Sequence, residues 1–516
     1  MKRTLAIGLI CLGAYSSALA GGLLNNTSMH ALYLRSLARN ASTAIDAAFY
    51  NPAGLVFTPD GWRYSINSQT VFQKRDITTT FAPFAFNGGQ MTKHFEGTAT
   101  APIVPTIMAS YKKGDWAFSA VAGIFGGGGK ARFNQGLPQF EAAVSMIPTT
   151  TQAIRGMLSN PALTGKLPPA IATQLPTLTA PLTAVNKYTV DSHLEGQQYT
   201  LGLQLGATYR VTPFLSAHLG ARLSYAYNTY TGYIRNIRVN NQAGDMVAAP
   251  IYFAAEALKY KALAENPAIK TALASLPAEV QQQVQTLLRA PAALAAGSVD
   301  KRIEVKQTGL GVAPIVGLHL NYGGLNVGAR YEFRTALDVK NDTKANDSGM
   351  EQFKDGAKVA NDMPAVLALG ASYRILPQLT ASVGFNHFFE KQARMSGDKQ
   401  KSLSHNTSEY LFGLEWNALS WLDVSGGVQI TRKGVTDDYQ SNIHFDMSSN
   451  SYGFGVGVHL TKELQLNLAY MISDYKKHTK EINNYVSTAL PGVNTKATEV
   501  YSRKNQIFSL GLDYTL

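Results

Sequence analysis

Apolar and polar residues alternate with a period of two along most of this chain. Leu464, Leu466, Leu468, Tyr470 and Ile472 interleave with Glu463, Gln465, Asn467, Ala469 and Ser473. Tyr199, Leu201, Leu203, Leu205 and Tyr209 interleave with Thr200, Gly202, Gln204, Gly206 and Thr208. Leu422, Val424, Val428 and Ile430 alternate with Asp423, Ser425, Gln429 and Thr431. One such segment fits a half-buried soluble strand equally well. About fourteen of them, with aromatics near their ends, predict an all-β fold: an antiparallel transmembrane β-barrel whose apolar set faces lipid and whose polar or glycine set faces the lumen. They begin near residues 61, 96, 115, 196, 213, 302, 324, 363, 378, 406, 420, 442, 463 and 499.

The joints alternate too. Lys112-Lys113-Gly114-Asp115, Val211-Thr212-Pro213, Tyr322-Gly323-Gly324, Leu376-Pro377-Gln378, Ala418-Leu419-Ser420 and Thr461-Lys462-Glu463 are tight turns, and the joints between them are long. Outer-membrane barrels have this asymmetry, with short periplasmic turns and long extracellular loops. An even strand count places both ends of the barrel domain, residues 61–516, on the periplasmic side. The last strand, Phe508, Leu510, Leu512, Tyr514 and Leu516 on one face, resembles the C-terminal signal read by the barrel assembly machinery, with Leu516 in place of the usual Phe.

Two extracellular insertions, 137–187 and 245–298, lose the alternation. In the second, Pro277 suits a first helical turn and Val280, Val284, Leu287 and Leu288 then share a face; in the first, Phe140, Val144 and Ile147 do the same. These stripes either pack on one another as caps or present an apolar surface to a greasy ligand.

Lys2-Arg3, the apolar run Leu5 to Ala14 and Ala18-Leu19-Ala20 predict a signal peptide over residues 1–20 and a mature chain from Gly21. Cys11, the only cysteine, leaves with it, which excludes disulfides and thiolate metal sites from the mature protein. The formal charge of +12 falls to +10 without Lys2 and Arg3, and the basic residues are scattered rather than interleaved with aromatics. Nucleic acid is therefore not an expected partner, whereas outer-membrane lipid, anionic lipopolysaccharide or an anionic solute in the lumen is.

No catalytic set emerges. His218, His319 and His459 point inward by parity, but no Ser with a matching acid accompanies them. No His, Asp and Glu cluster has metal-ligand spacing, no cofactor is implied, and Gly129-Lys130 is not a phosphate loop because Ile124 and Ala131 occupy positions that need Gly and Ser or Thr. The third strand, Trp116 to Phe125, runs into Gly126-Gly127-Gly128-Gly129, which marks either a kink or bulge in the wall or a loop entrance.

Residues 21–60 precede the wall and do not alternate, so a lumen-filling plug is the economical place for them. They carry Asp46 and then Asn51-Pro52-Ala53-Gly54, a rigid bend. Signal peptide, plug-length segment, Asn51-Pro52-Ala53, fourteen strands and Met363-Pro364 followed by Gly370 and Tyr373 together resemble the FadL family of outer-membrane transporters for hydrophobic compounds, and Arg35 to Gly54 is most similar to its Bacteroidetes-type members. The resemblance implies a monomeric barrel closed by an N-terminal hatch, a ligand caught among the extracellular helices, and lateral release beside a kinked third strand. The implied substrate is a long-chain fatty acid. Aromatic hydrocarbon uptake and a non-transporting barrel, adhesin or lipid hydrolase, are the alternatives. For a carboxylate ligand the inward basic residues Arg222, Arg330, Arg334 and Arg374 and the rim residue Lys401 are candidates, set against simple pairing with acids such as Glu332 and Glu415.

Overall fold

A computed structural model describes residues 25–487 and 493–516; the expected signal peptide lies outside the described residues. Fourteen antiparallel strands form the wall. They are β1 Gly61–Phe81, β2 Thr92–Lys113, β3 Trp116–Phe133, β4 Tyr188–Thr212, β5 Leu215–Asn240, β6 Lys301–Tyr322 and β7 Leu325–Glu332 in the first half. The second half is β8 Val366–Leu376, β9 Leu379–Phe388, β10 Thr407–Leu419, β11 Leu422–Arg432, β12 Ser449–His459, β13 Leu464–Tyr475 and β14 Ala497–Thr515. Each strand pairs with its neighbours in sequence, and β1 closes on β14 from Arg63↔Thr515 to Phe81↔Ala497. Short strands at Met246–Ala248, Asp338–Asn346, Lys358–Ala360 and His478–Ile482 extend the sheet at the long-loop end.

The pleat sorts the residues as alternation requires. On β1, Trp62, Tyr64, Ile66 and Phe72 face outward and exposed, while Ser65, Asn67, Gln69 and Gln73 are buried inside. Leu201, Leu203 and Leu205 of β4, Leu310, Val312 and Leu318 of β6, and Phe412, Leu414 and Trp416 of β10 continue the outer belt. From Trp62 to Phe72 a tilted strand climbs roughly 25 Å, the height of a bilayer's apolar layer. Trp62, Trp116, Tyr209, Tyr322, Trp416, Trp421 and Tyr514 ring the short-turn end. Among the described residues no helix is long and apolar enough to cross a membrane; the strands do the crossing.

Three wall boundaries depart from the alternation. β2 and β4 begin earlier than it marks, at Thr92 and Tyr188, because above the apolar belt the outward positions turn polar (His94 and Glu96, His193 and Glu195) while Phe95 and Leu194 stay buried inside. β12 begins later, at Ser449, since the alternating run Ile443, His444, Phe445, Asp446 and Met447 is a buried loop rather than a strand.

In the insertions, helices Pro138–Leu158, Ala249–Glu265 and Ala278–Gly297 carry the apolar stripes. Pro277 caps the last helix from outside, and Leu288 is only half-buried. Phe140, Val144 and Ile147 join Phe253, Tyr260, Val280, Val284 and Leu287 in one buried cluster, so the stripes mostly cover one another. Ile251 and Leu258 stay exposed on the same helix.

Candidate functional site

Residues 25–57 lie inside the barrel and are almost wholly buried. Two short helices, α1 Ala31–Ser36 and α2 Ala47–Tyr50, and a 3-10 turn Pro52–Phe57 make up this segment. The His30 ring accepts the Leu32 N–H to cap α1, and Leu37 at φ 57° stops it. Between the helices, Asp46 accepts from Arg39 Nε at 2.6 Å, Arg39 Nη2 at 2.9 Å and Ser42 Oγ at 2.7 Å. Asn51 Nδ2 donates to Ser42 O at 2.9 Å and to His319 Nδ1 at 2.8 Å. Thr208 and Ser216 on the wall donate to the carbonyls of Pro52 and Ala53, at 2.9 and 2.6 Å. A Cβ on Gly54 would lie 2.5 Å from Ser42 O, so only glycine lets the bend close. Asp46, Asn51, Pro52, Ala53 and Gly54 thus tie the segment to itself and to β4, β5 and β6.

The wall meets this segment with a row of inward glycines. Cβ atoms placed on Gly328, Gly370, Gly413, Gly427 and Gly453 would fall 2.0 to 2.6 Å from atoms of Asn40, Ser36 and Leu34. Backbone therefore lies directly against backbone across β7, β8, β10, β11 and β12.

On the other side the wall is broken. β2 and β3 pair from Lys113↔Trp116 to Thr106↔Gly123 and again from Thr100↔Lys130, with no pair between. Pro102 and Pro105 have no N–H for the ladder there. Opposite them, β3 slips its register against β4 between Ile124 and Gly126 and between Gly127 and Lys130. Gly127 takes φ +69° with Gln198 O 2.5 Å from where a Cβ would be. The Gly126-Gly127-Gly128-Gly129 run therefore lies within β3, which continues to Phe133, rather than opening a loop.

The N-terminal segment supplies what β2 does not. Asn26 N donates to Phe125 O at 2.7 Å and Asn26 Nδ2 to Ile124 O at 2.8 Å. The Phe125 ring lies 5.7 Å from Phe49 of α2, and the Arg222 guanidinium lies over Phe125 at 4.2 Å. Arg222 pairs with Glu332, and Arg330 donates to Phe49 O at 2.6 Å with Glu332 4.0 Å away. Arg222 and Arg330 thus clamp the break and α2, with Glu332 as counter-charge.

The other candidate cations are dispersed. Arg334 pairs with Asp362 at 3.0 Å, Lys401 pairs with Asp398 at 2.6 Å in an exposed loop, and Arg374 is exposed at the short-turn rim. The alternation did not single out Arg75. Its guanidinium is buried, donates to Phe445 O at 3.0 Å and lies 4.4 Å from the Phe445 ring. Its Nη1 has no hydrogen-bond partner among the described residues. The nearby acid, Asp446, is already held by Lys433 at 2.7 Å and Arg503 at 3.1 Å. Arg75 lines a small space together with Ala131, Phe133, Leu194, Gly196, Gln198 and Ile443, just beyond the glycines of β3. Parity on β1, where Val71, Gln73 and Ile77 are inward, was the signal that could have found it.

The inward histidines are structural ties. His218 meets Thr208 at 2.9 Å, His319 holds Asn51, and His459 meets Asp423 at 3.0 Å. The fold does assemble one Ser, His and Asp set that sequence order hides. His30 Nε2 lies 2.8 Å from Ser65 Oγ and 3.2 Å from Asp513 Oδ1, and Ser65 donates to that same carboxylate. Because the Leu32 N–H occupies His30 Nδ1, the neutral ring carries its proton on Nε2 and cannot take one from Ser65. The set anchors the N-terminal segment to β1 and β14.

No protein-family profile matches the sequence, and no curated protein does. Solved structures match in fold. A Pseudomonas aeruginosa FadL homologue is 13% identical, covering 96% of this chain and 99% of that one with a TM-score of 0.58. The Pseudomonas putida toluene transporter TodX is 12% identical, covering 95% and 99% with a TM-score of 0.51. The chain has a FadL-like barrel fold over nearly its full length.

Proposed function

We propose that the protein is an outer-membrane transporter for hydrophobic compounds, with long-chain fatty acids as the substrate class. The observation that carries the reading is Arg75: a buried guanidinium with an unused N–H lining a mostly apolar space, next to a break in the wall. An aliphatic acid suits both parts, since each buried methylene contributes about 0.8 kcal/mol and a carboxylate completes the guanidinium's hydrogen bonds. A neutral arene suits only the first.

Ligand would land on the loop helices, where exposed Ile251 adjoins a groove of about 720 Å³ whose lining mixes Ile237, Ala248, Pro250 and Val299 with Asn236, Arg238 and Asp300. The space at Arg75 holds about 20 Å³, room for a water and no more. Admission of a ligand therefore requires the 433–448 loop, which carries Ile443, to withdraw. Release follows when the hatch, residues 21–60, draws Asn26 off Ile124 and Phe125 and exposes the gap between β2 and β3 to lipid. The Asp46 and Asn51-Pro52-Ala53-Gly54 bend fixes the hatch in its closed position, and the glycines of β3 form the gap.

The test is equilibrium binding of palmitate and methyl palmitate to the full chain in detergent. Arg75→Met weakens palmitate by about tenfold or more, the worth of a charge-assisted hydrogen bond, and weakens the ester, a neutral acceptor, clearly less. Equal effects on both ligands overturn the carboxylate assignment. Binding of toluene with none of palmitate replaces it with the aromatic reading.

A further inference from the structure

We propose that Asp76, His94 and Glu96 form a binding site for a first-row divalent cation, zinc above all, on the outer wall of the barrel. The site is independent of the transport reading. All three side chains point outward from β1 and β2. They lie beyond Phe72, the last apolar outward residue of β1, so Asp76 stands roughly 10 Å above the apolar belt, at headgroup level.

Sequence spacing gave no metal-ligand set because these residues come from two strands. The register makes the set: Asp76 is directly opposite Glu96, and Thr78 is directly opposite His94. One ligand atom from each of the three lies within 4.8 Å of the others. Two carboxylates facing each other across a ladder repel, a cost that a cation between them removes. Asp76 Oδ1 is shielded from solvent and accepts no hydrogen bond among the described residues. Its neighbour, His94 Nε2, is 3.6 Å away, too far for one.

The histidine is set for ligation. Thr78 Oγ1 lies 3.1 Å from His94 Nδ1. With Nδ1–H donating to that hydroxyl, Nε2 presents its lone pair to the carboxylates, as an outer hydrogen bond does for metal-bound imidazoles. One nitrogen and two carboxylate oxygens leave a fourth, solvent-facing position, a set that suits zinc; calcium and magnesium call for six or more oxygens. Lys74 lies 3.2 Å from Glu96, and Lys504 is paired with Lys74 across β1 and β14; these ammonium groups are the cation's competitors.

The experiment is titration calorimetry of zinc, magnesium and calcium chlorides into the tag-free full chain in detergent. One zinc per chain is expected, with affinity falling by about tenfold or more in His94→Ala and Asp76→Asn. In Lys74→Ala, affinity rises as the competitor leaves Glu96. Heat-modifiable gel mobility confirms that each variant is a folded barrel. Absence of zinc binding, or zinc binding indifferent to all three substitutions, overturns the site. Equal affinity for magnesium or calcium overturns the metal assignment.

Discussion

Replacing Asp46 by Asn isolates the internal stability of the N-terminal segment from that of the wall. Asp46 is completely buried and accepts three hydrogen bonds, two from a single guanidinium. The amide is neutral and turns an N–H toward Arg39, leaving a cation with 12% side-chain exposure and no other carboxylate within 4.0 Å among the described residues. Breaking a buried pair by removing one partner costs about 3 to 5 kcal/mol. That corresponds to between roughly two and four powers of ten in the equilibrium between ordered and locally unfolded segment. The wall is not touched, since its ladders do not involve either residue. Hydrogen exchange on the assembled protein reads the effect directly. Amides from Ala47 to Gly54, which close the helical turns on Ala44, Ile45, Asp46, Ala47 and Asn51 carbonyls, lose protection by that factor, while those of β1 and β14 keep theirs. Pairing Arg39→Met with Asp46→Leu restores most of the loss, because an apolar pair carries no unmatched charge. If Asp46→Asn alone leaves these amides as protected as in the wild type, the ion pair does not hold the segment and the reasoning fails.

Two further outcomes follow from single contacts. Asn26→Ala strips the Ile124 carbonyl of its donor, a loss of about 1 to 3 kcal/mol in closure of the break; uptake of labelled palmitate should rise in cells with equal amounts of folded barrel, and unchanged uptake contradicts gating by this contact. Lys399, in the loop after β9, donates to Ser441 Oγ and lies over the Tyr439 ring, and burial with Lys480 nearby pushes its ammonium down to about 7. Its folded value is below the unfolded one, so the unfolded chain binds the extra proton between about pH 7 and 10.4; stability rises with pH across that window and is flat below it. Lys399→Met should raise the Tm at pH 7 and abolish the slope, as thermal melts at pH 7 and 9 would show.

The wall was legible because lipid and lumen impose opposite demands on alternate residues, and that contrast repeats in every strand. Legibility failed where the contrast ends. Beyond the bilayer, the strands at Asp338–Asn346 and His478–Ile482 are mostly polar, with Val339 and Ile482 as their bulky apolar residues, and the buried 443–447 loop mimics a strand. The bend at Asn51-Pro52-Ala53 was visible as local backbone chemistry. Its partners Thr208, Ser216 and His319 were not, since each comes from a different strand. Among the cations, inward parity identified Arg222, Arg330 and their acid Glu332, but not that the trio would clamp Phe125 and the Phe49 carbonyl. Arg75 escaped notice because its apolar surroundings are assembled from β3, β4 and a distant loop.

The inward glycine row has a consequence for exchange between barrels of this shape. Gly328, Gly370, Gly413, Gly427 and Gly453 make the wall a mould, cast to the backbone of Leu34, Ser36 and Asn40. A foreign plug with a different path would meet bare peptide where it needs side chains and side chains where it needs space. Swapping the first sixty residues between such proteins should therefore yield leaky chimeras unless the glycine row is carried across with them. Conversely, a separate peptide spanning Leu34 to Asn40 already has its shape recorded in the empty barrel, which makes that groove a template for a blocker that reads main chain rather than side chain.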